Sequence, residues 1–311
     1  MPLMTRAEGK DELAELRAGI TLRAARMVLT RMLRASGVET PALDARLLVQ
    51  EATDTSHAHL IARGEDPLSA EEAARLEEFA RRRLAGEPVS RILGRREFFG
   101  RTFAITADVL DPRPETELLV EAALRLRPHI ERMQGSELPI ACDLGTGSGA
   151  IIVSLLAEWP GLRGLAVDVS APALTVARRN AARHGVSDRL ACVRGHWLEA
   201  IGGPVDLLLA NPPYIPRAAI ATLQTEVREH DPHLALDGGD DGLDAYRAIA
   251  ARAARVLRPG GWLLVEVGAG QAQAVRDLFL RAGLTADEAA MPSIVPDLAG
   301  VDRIVALKGN I

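Results

Sequence analysis

Cysteine is nearly absent: the 311 residues hold two, Cys142 and Cys192. Two thiols cannot build a disulfide framework or an all-cysteine zinc site. Each lies in an apolar, strand-like run, so both are expected as buried free thiols in a reducing compartment. Long apolar runs are missing too. None approaches the roughly 18 residues that a membrane span requires. Met1–Lys10 carries charge without an apolar core, so no secretory signal is expected and the chain is placed in the cytoplasm. There is no excess of positive charge. The net charge of −5 argues against a broad non-specific nucleic-acid surface. Internal repeats and low-complexity tracts are also lacking. What remains is an ordinary globular composition, 48% hydrophobic and 25% charged, long enough for about two domains.

Taken in order, residues 1–15 are polar and expected to fray as a flexible N-terminus. Residues 16–90 read as a small helical domain. Thr40-Pro41 forms an N-cap and first-turn pair, followed by Ala42, Ala45, Leu48 and Val49 at helical spacing. Ser69 and Glu72 make a capping box. That helix closes on Arg81-Arg82-Arg83 before Gly86, either a solvated helix end or a contact for an acidic or RNA-containing partner. Residues 91–111 form a linker whose alternation over Arg96–Ile105 predicts a β-hairpin. It holds three of the five phenylalanines. Pro112-Arg113-Pro114-Glu115-Thr116-Glu117 then leads into an apolar helix, with Glu115 or Thr116 as its cap. It reads either as a Pro-rich linker or as a segment whose Arg113, Glu115 and Glu117 line a site.

From Leu138 strands and helices alternate, the mark of a mostly parallel sheet covered on both faces. The first strand ends in Asp143-Leu144 and runs into Gly145-Thr146-Gly147-Ser148-Gly149. Glycine permits the tight turn and close ligand approach, and the following helix start offers free N–H groups. The second strand ends in Asp168, about 20 residues on, where a carboxylate accepts hydrogen bonds from a ribose diol. Further strands cover Leu190–Val193, Val205–Ala210, Trp262–Val267 and Asp302–Leu307, with helices Leu243–Leu257 and Ala272–Ala282. The strand Val205–Ala210 is stopped by Asn211-Pro212-Pro213-Tyr214, because proline brings no N–H to a ladder. This tetrapeptide offers an amide, a directed carbonyl and an aromatic face, a clamp for a planar group bearing NH2. The loop lacks the Gly-Lys-Ser/Thr of a nucleoside-triphosphate site and departs from the dehydrogenase fingerprint. Glu229-His230-Asp231-Pro232-His233 matches no metal spacing and reads as a substrate-side loop. Asp237-Gly238-Gly239-Asp240-Asp241-Gly242 is turn-like and lacks calcium-loop periodicity, so no metal is expected.

Asp143–Gly149, Asp168 and Asn211–Tyr214 resemble class I S-adenosylmethionine-dependent methyltransferases of planar amino groups. Pro112–Glu117, the Glu97-Phe98-Phe99-Gly100 hairpin and the helical domain are similar to the PrmC/HemK family. The resemblance runs over about residues 20 to 308. It implies an α/β, Rossmann-like fold with a mostly parallel seven-stranded sheet over 112–311, joined by the β-hairpin to the helical substrate-recognition domain. It also implies methyl transfer from S-adenosylmethionine, leaving S-adenosylhomocysteine. The acceptor would be the side-chain nitrogen N5 of the glutamine in the Gly-Gly-Gln loop of class 1 peptide chain release factors. The implied cofactor residues are Asp143, Gly145, Thr146, Gly147, Ser148, Gly149, Asp168, Trp197 and Asn211. The implied catalytic residues are Asn211, Pro212 and Tyr214. Pro213, Arg113 and Glu115 join Asn211, Pro212 and Tyr214 in binding the substrate. One departure stands out: family members often carry aspartate where this chain has His196, which is either a neutral acceptor for the adenine amine or a plain loop histidine.

An amide nitrogen is a poor nucleophile because its lone pair is delocalised into the carbonyl. Asn211 Oδ1 and the Pro212 carbonyl would accept its two N–H bonds and aim it at the methyl, with Tyr214 packed on the amide. The tetrapeptide is shared with DNA adenine and rRNA guanine methyltransferases, so a nucleic-acid amino methyltransferase is the first rival. The acidic charge and the absence of an aromatic–basic surface oppose it. A ribosomal-protein glutamine methyltransferase differs in the Arg-Pro-Glu-Thr-Glu segment. A non-catalytic binding module would not need the clamp, and a dehydrogenase would prefer a nicotinamide dinucleotide.

Overall fold

One strand with two prolines behind it sits at the middle of the larger part of the molecule. The computed structural model describes residues 13–134 and 137–310. The chain divides between Gly94 and Arg95 into two compact units. The expectation for residues 1–15 lies, for 1–12, outside the described residues.

The first unit contains α1 (Leu22–Ala35), α2 (Pro41–Thr53), α3 (His57–Ala62), α4 (Ala70–Leu84) and α5 (Val89–Leu93). Leu29, Leu33, Leu48, Val49 and Leu76 meet in its core. The capping box forms: Ser69 Oγ accepts the Glu72 N–H at 3.2 Å and Glu72 Oε2 accepts the Ser69 N–H at 2.7 Å. Thr40 stands at the N-cap of α2 without capping it, because its hydroxyl donates to Asp44 Oδ1 at 2.8 Å. Ala42, expected inside, is exposed, and Asp44 is buried instead. The arginine run explains that exchange. Arg83 Nε donates to Asp44 Oδ2 at 2.7 Å with both side chains buried. A buried carboxylate needs such a partner. Arg81 pairs with Glu77 and Glu78, and Arg82 with Glu87. The run is therefore not a uniformly solvated helix end.

The second unit opens with the hairpin β1 (Arg95–Phe98) and β2 (Arg101–Ala104), in which Phe98 faces Arg101. Phe98 and Phe103 are buried edge to face in this unit's core. A short 3-10 turn, Pro114–Thr116, enters α6 (Glu117–Gln134). The strands β3 (Ile140–Leu144), β4 (Arg163–Asp168), β5 (Leu190–Arg194), β6 (Val205–Ala210), β7 (Leu257–Glu266), β8 (Ile294–Pro296) and β9 (Asp302–Lys308) form one sheet in the order β5-β4-β3-β6-β7-β9-β8. β8 and β9 add antiparallel to an otherwise parallel sheet. β8, three residues ending in proline, has no counterpart in the sequence reading.

Side chains alternate between the two faces. Leu207, Leu209 and Leu264 join α6, α7 (Ala150–Glu158) and α8 (Ala171–Arg183) on one side. Leu208, Ala210 and Leu263 join α11 (Asp244–Val256) and α12 (Ala272–Arg281) on the other. The stretch expected as plain loop after β6 holds α9 (Arg217–Ile220) and α10 (Thr225–His230). Cys142 is buried, Cys192 is half-buried, and both are free. Among the described residues no helix is long and apolar enough to cross a membrane.

Candidate active site

The chain leaves β3 to build β4 and β5 on one side, then returns to lay β6 on the other. Ligands bind at such a switch point, outside the carboxyl ends of the strands. Two loops start there: the glycine loop after β3 and the tetrapeptide after β6.

Gly145, Gly147 and Gly149 all have left-handed φ, at 68°, 54° and 78°, which explains glycine at every second position. The Gly145 and Thr146 N–H groups donate to the Val167 carbonyl at 2.8 and 3.0 Å, tying the loop to β4. A side chain at Gly147 would meet nothing within 4 Å, so the space beside it is open to a ligand. Gly149 packs on α8, where a Cβ would lie 3.1 Å from that of Ala177. Asp143 is fully buried, and its Oδ2 accepts from the Thr146 hydroxyl at 2.6 Å. It reaches the loop from beneath, so it supports the turn and does not face the cavity. Burial pushes its carboxyl up to about 7, with the nearby Asp168 adding to the rise and the Thr146 bond opposing it.

Asp168 Oδ2 accepts the Gly147 N–H and its Oδ1 the Ser170 N–H, both at 2.9 Å. Each oxygen retains a lone pair. Trp197 adopts a left-handed φ of 48°, costly for a bulky residue and typical of functional sites. Its ring lies against Gly145, 3.4 Å from where a Cβ would stand. His196 is exposed, with Nδ1 3.4 Å from Glu199 Oε1.

A cavity of about 330 Å³ is lined by Gly145, Gly147, Asp168, Trp197, Asn211 and Pro213, among others. Thr146 and Ser148 are buried beneath it, and Pro212 is buried behind Asn211. Sequence reasoning missed part of the wall. Val109 and Leu110, just before the Asp-Pro-Arg-Pro segment, and Leu234 also line it.

The tetrapeptide is held from several directions. Asn211 Nδ2 donates to Thr116 Oγ1 at 3.0 Å. Gln271 Nε2 donates to the Tyr214 carbonyl at 3.0 Å, while Gln271 Oε1 accepts the Gly268 N–H at 3.0 Å. The Asp237–Gly242 stretch braces the tetrapeptide: Gly238 N–H donates to the Ile215 carbonyl at 2.9 Å, and a Cβ on Gly238 would come within 2.9 Å of the Pro213 oxygen. Burial raises the Tyr214 phenol. Arg113 Nη2 donates to the buried Asp231 Oδ2 at 2.6 Å, joining the segment before α6 to the loop after α10. Glu115 is exposed beside Tyr214. Glu117 turns away to accept the Phe99 N–H at 2.8 Å, so it orders the hairpin turn rather than lining the site. Among the described residues no group of three or more His, Cys, Asp or Glu is placed to hold a metal.

Known proteins match this arrangement over nearly the whole chain. The PrmC N-terminal domain family matches residues 11–94, and the methyltransferase small domain family matches residues 126–239. A release factor glutamine methyltransferase of Bradyrhizobium diazoefficiens is 46% identical over 93% of this chain and 95% of its own. One of Cereibacter sphaeroides is 47% identical over 94% of this chain and 99% of its own. A third, of Moorella thermoacetica, is 44% identical over 91% and 97%. On these matches the chain belongs to the release factor glutamine methyltransferase family.

Proposed function

We infer that this chain transfers a methyl group from S-adenosylmethionine to the side-chain N5 of the glutamine in the Gly-Gly-Gln loop of class 1 peptide chain release factors. One observation carries the reading: Gly147 and Asp168, suited to a nucleoside, share a single cavity wall with Asn211 and Pro213, suited to an amide.

When bound, the sulfonium of S-adenosylmethionine supplies an already activated methyl. The chain's residues provide the positioning. The free lone pairs of Asp168 accept the ribose hydroxyls, and Trp197 packs on the adenine. A ring nitrogen of His196 would be the acceptor for the adenine amine. Gly145, Gly147 and Gly149 let the backbone approach closely, while Asp143, Thr146 and Ser148 hold the loop from below. Asn211 Oδ1 and the Pro212 carbonyl accept the two N–H bonds of the substrate amide. The nitrogen becomes positive as it attacks, so oxygen dipoles are the right partners. Holding it in line contributes several kcal/mol. Tyr214 and Pro213 pack on the amide plane, and the proton leaves after transfer, so no general base is needed. Arg113 and Glu115 bind the approaching loop. The helical unit grips the protein substrate, and the unit that opens with the hairpin at Arg95 carries the chemistry.

Methyl-labelled S-adenosylmethionine tests this. The protein is offered a release factor, the same factor with its loop glutamine replaced by alanine, a ribosomal protein and duplex DNA. Label on the intact factor alone is expected. Label on DNA would make the chain a nucleic-acid amino methyltransferase.

A further inference from the structure

One wall of the cavity comes from a strap between α10 and α11, residues 231–237, which places Pro232, Leu234, Ala235 and Asp237 on the lining. Its internal bonds fix its shape. The Ala235 N–H donates to the Pro232 carbonyl at 2.8 Å, and the Leu236 and Asp237 N–H groups donate to the His233 carbonyl at 3.1 Å. Bonds of that kind cannot fix where the strap stands. We propose that Arg113 does so as a positioning residue, its ion pair with Asp231 holding the strap as the wall against which the release-factor loop is aligned. This rests on the reading of the cavity as the methyl-transfer site.

The strap is anchored at both ends, in different ways. Its far end is tied to the chain just after the tetrapeptide: the Ile215 N–H donates to the Leu236 carbonyl at 3.2 Å, and Asp237 Oδ2 accepts from Arg217 Nε at 3.0 Å. At its near end stands Asp231, where α10 stops, and there Arg113 Nη2 donates to Oδ2 at 2.6 Å. The two partners are unequally placed. The Asp231 side chain is 2% exposed and that of Arg113 35%. Deprived of this cation, a buried carboxylate is driven toward water, and Asp231 takes the strap with it. A guanidinium at the rim loses less, because water reaches its N–H groups. The pair therefore governs the strap more than it governs Arg113, whose remaining donors stay open to the incoming loop.

Arg113 is itself well fixed. It lies between Pro112 and Pro114 with an extended backbone, φ −89° and ψ 146°, and the Thr116 N–H donates to its carbonyl at 3.1 Å. The Thr116 hydroxyl in turn accepts from Asn211 Nδ2 at 3.0 Å. One short turn thus holds the clamp asparagine through Thr116 and the strap through Arg113, and it sets the gap between them. Leu234 is the strap's forward contact. It is a large apolar side chain on the cavity wall, 65% exposed, and it gains by being covered when a substrate segment lies on it.

The test pairs steady-state kinetics with deuterium exchange over residues 231–237, for the wild type, Arg113→Met, Asp231→Leu and the double variant. Arg113→Met strands a buried charge, so KM for the release factor should rise by about 30-fold. Kd for S-adenosylmethionine should stay within about threefold, because Gly147, Asp168 and Trp197 stand on other elements. Exchange at the Leu236 and Asp237 N–H groups should quicken. The double variant removes the stranded charge and packs two apolar side chains in its place. Its KM should return to within about fivefold of the wild type, and its exchange should slow again. If Arg113 served only to touch the substrate, the double variant would bind as poorly as Arg113→Met, with exchange unchanged in both. That result overturns the strap and leaves the methyl-transfer site standing. Should Arg113→Met not fold, Asp231→Asn carries the test. Of the same shape but uncharged, it should raise KM by about fivefold, and unaltered exchange in it would overturn the proposal. A wild type that labels no release factor would remove the methyl-transfer reading, while exchange, which needs no substrate, still decides the strap.

Discussion

In the proposed mechanism Asn211 and Asp168 divide the work of the site, and substituting each should separate binding from chemistry. On that proposal, Asn211→Ala removes the acceptor for the reacting nitrogen. Turnover should drop by at least about 100-fold, while calorimetry should find cofactor affinity nearly unchanged. Asp168→Ala removes a carboxylate that already holds the Gly147 and Ser170 N–H groups. Hydrogen bonds to a charged group contribute about 1.5–3 kcal/mol. Cofactor Kd should therefore rise by about 10- to 100-fold, with further loss from the released loop. The place of both residues on one cavity wall was legible in the sequence because each sits at the end of an apolar strand, where local pattern alone predicts a ligand edge. Their partners were not. Thr116 lies 95 positions from Asn211, and Asp231 lies 118 from Arg113. No local pattern announces a contact across such a distance. The family resemblance also implied Asp143 as a cofactor residue, where the fold turns it inward beneath the loop.

At the level of elements, the tetrapeptide is only as rigid as what stands behind it. The Asp237–Gly242 stretch read as a turn, since its glycines and aspartates have no apolar period. In the fold it is a brace. A Cβ on Gly238 would crowd the Pro213 oxygen, the Tyr214 backbone and Gly242 at 2.9 Å each. All three are backbone and cannot swing aside. Gly238→Ala should cost about 1–3 kcal/mol of stability and lower kcat well before it affects cofactor Kd, as paired thermal melts and kinetics would reveal. The five parallel strands and their helices followed from apolar runs and caps. The antiparallel β8 did not, because three residues ending in proline carry too little pattern to distinguish a strand from a loop. Ala42 and Asp44 exchanged places for a similar reason: the buried arginine that partners Asp44 comes from a different helix.

For the whole molecule, the two carboxyls raised to about 7, Asp143 and Glu266, link stability to pH. Each is harder to ionise folded than unfolded, where the ordinary value is about 4. Their favourable contribution is fully present below about pH 4 and is lost as pH rises through about 7. Asp143→Asn should therefore gain thermal stability relative to the wild type between pH 5 and pH 8, measured by melting both proteins across that range. An unchanged difference would mean Asp143 ionises freely in the fold.

Asn180 joins two parts that the chain keeps far apart. Its amide donates to the Ala104 carbonyl at 3.1 Å and the Ser148 carbonyl at 2.8 Å, and its oxygen accepts the Ala104 N–H at 2.8 Å. One buried side chain thus reads the end of the hairpin and the floor of the glycine loop together. Ordering either should steady the other, and such coupling is reciprocal. Deuterium exchange at the Ala104 amide should slow when S-adenosylmethionine is added, and Asn180→Ala should abolish that response. The cofactor would then be sensed at the hairpin with which the second unit opens.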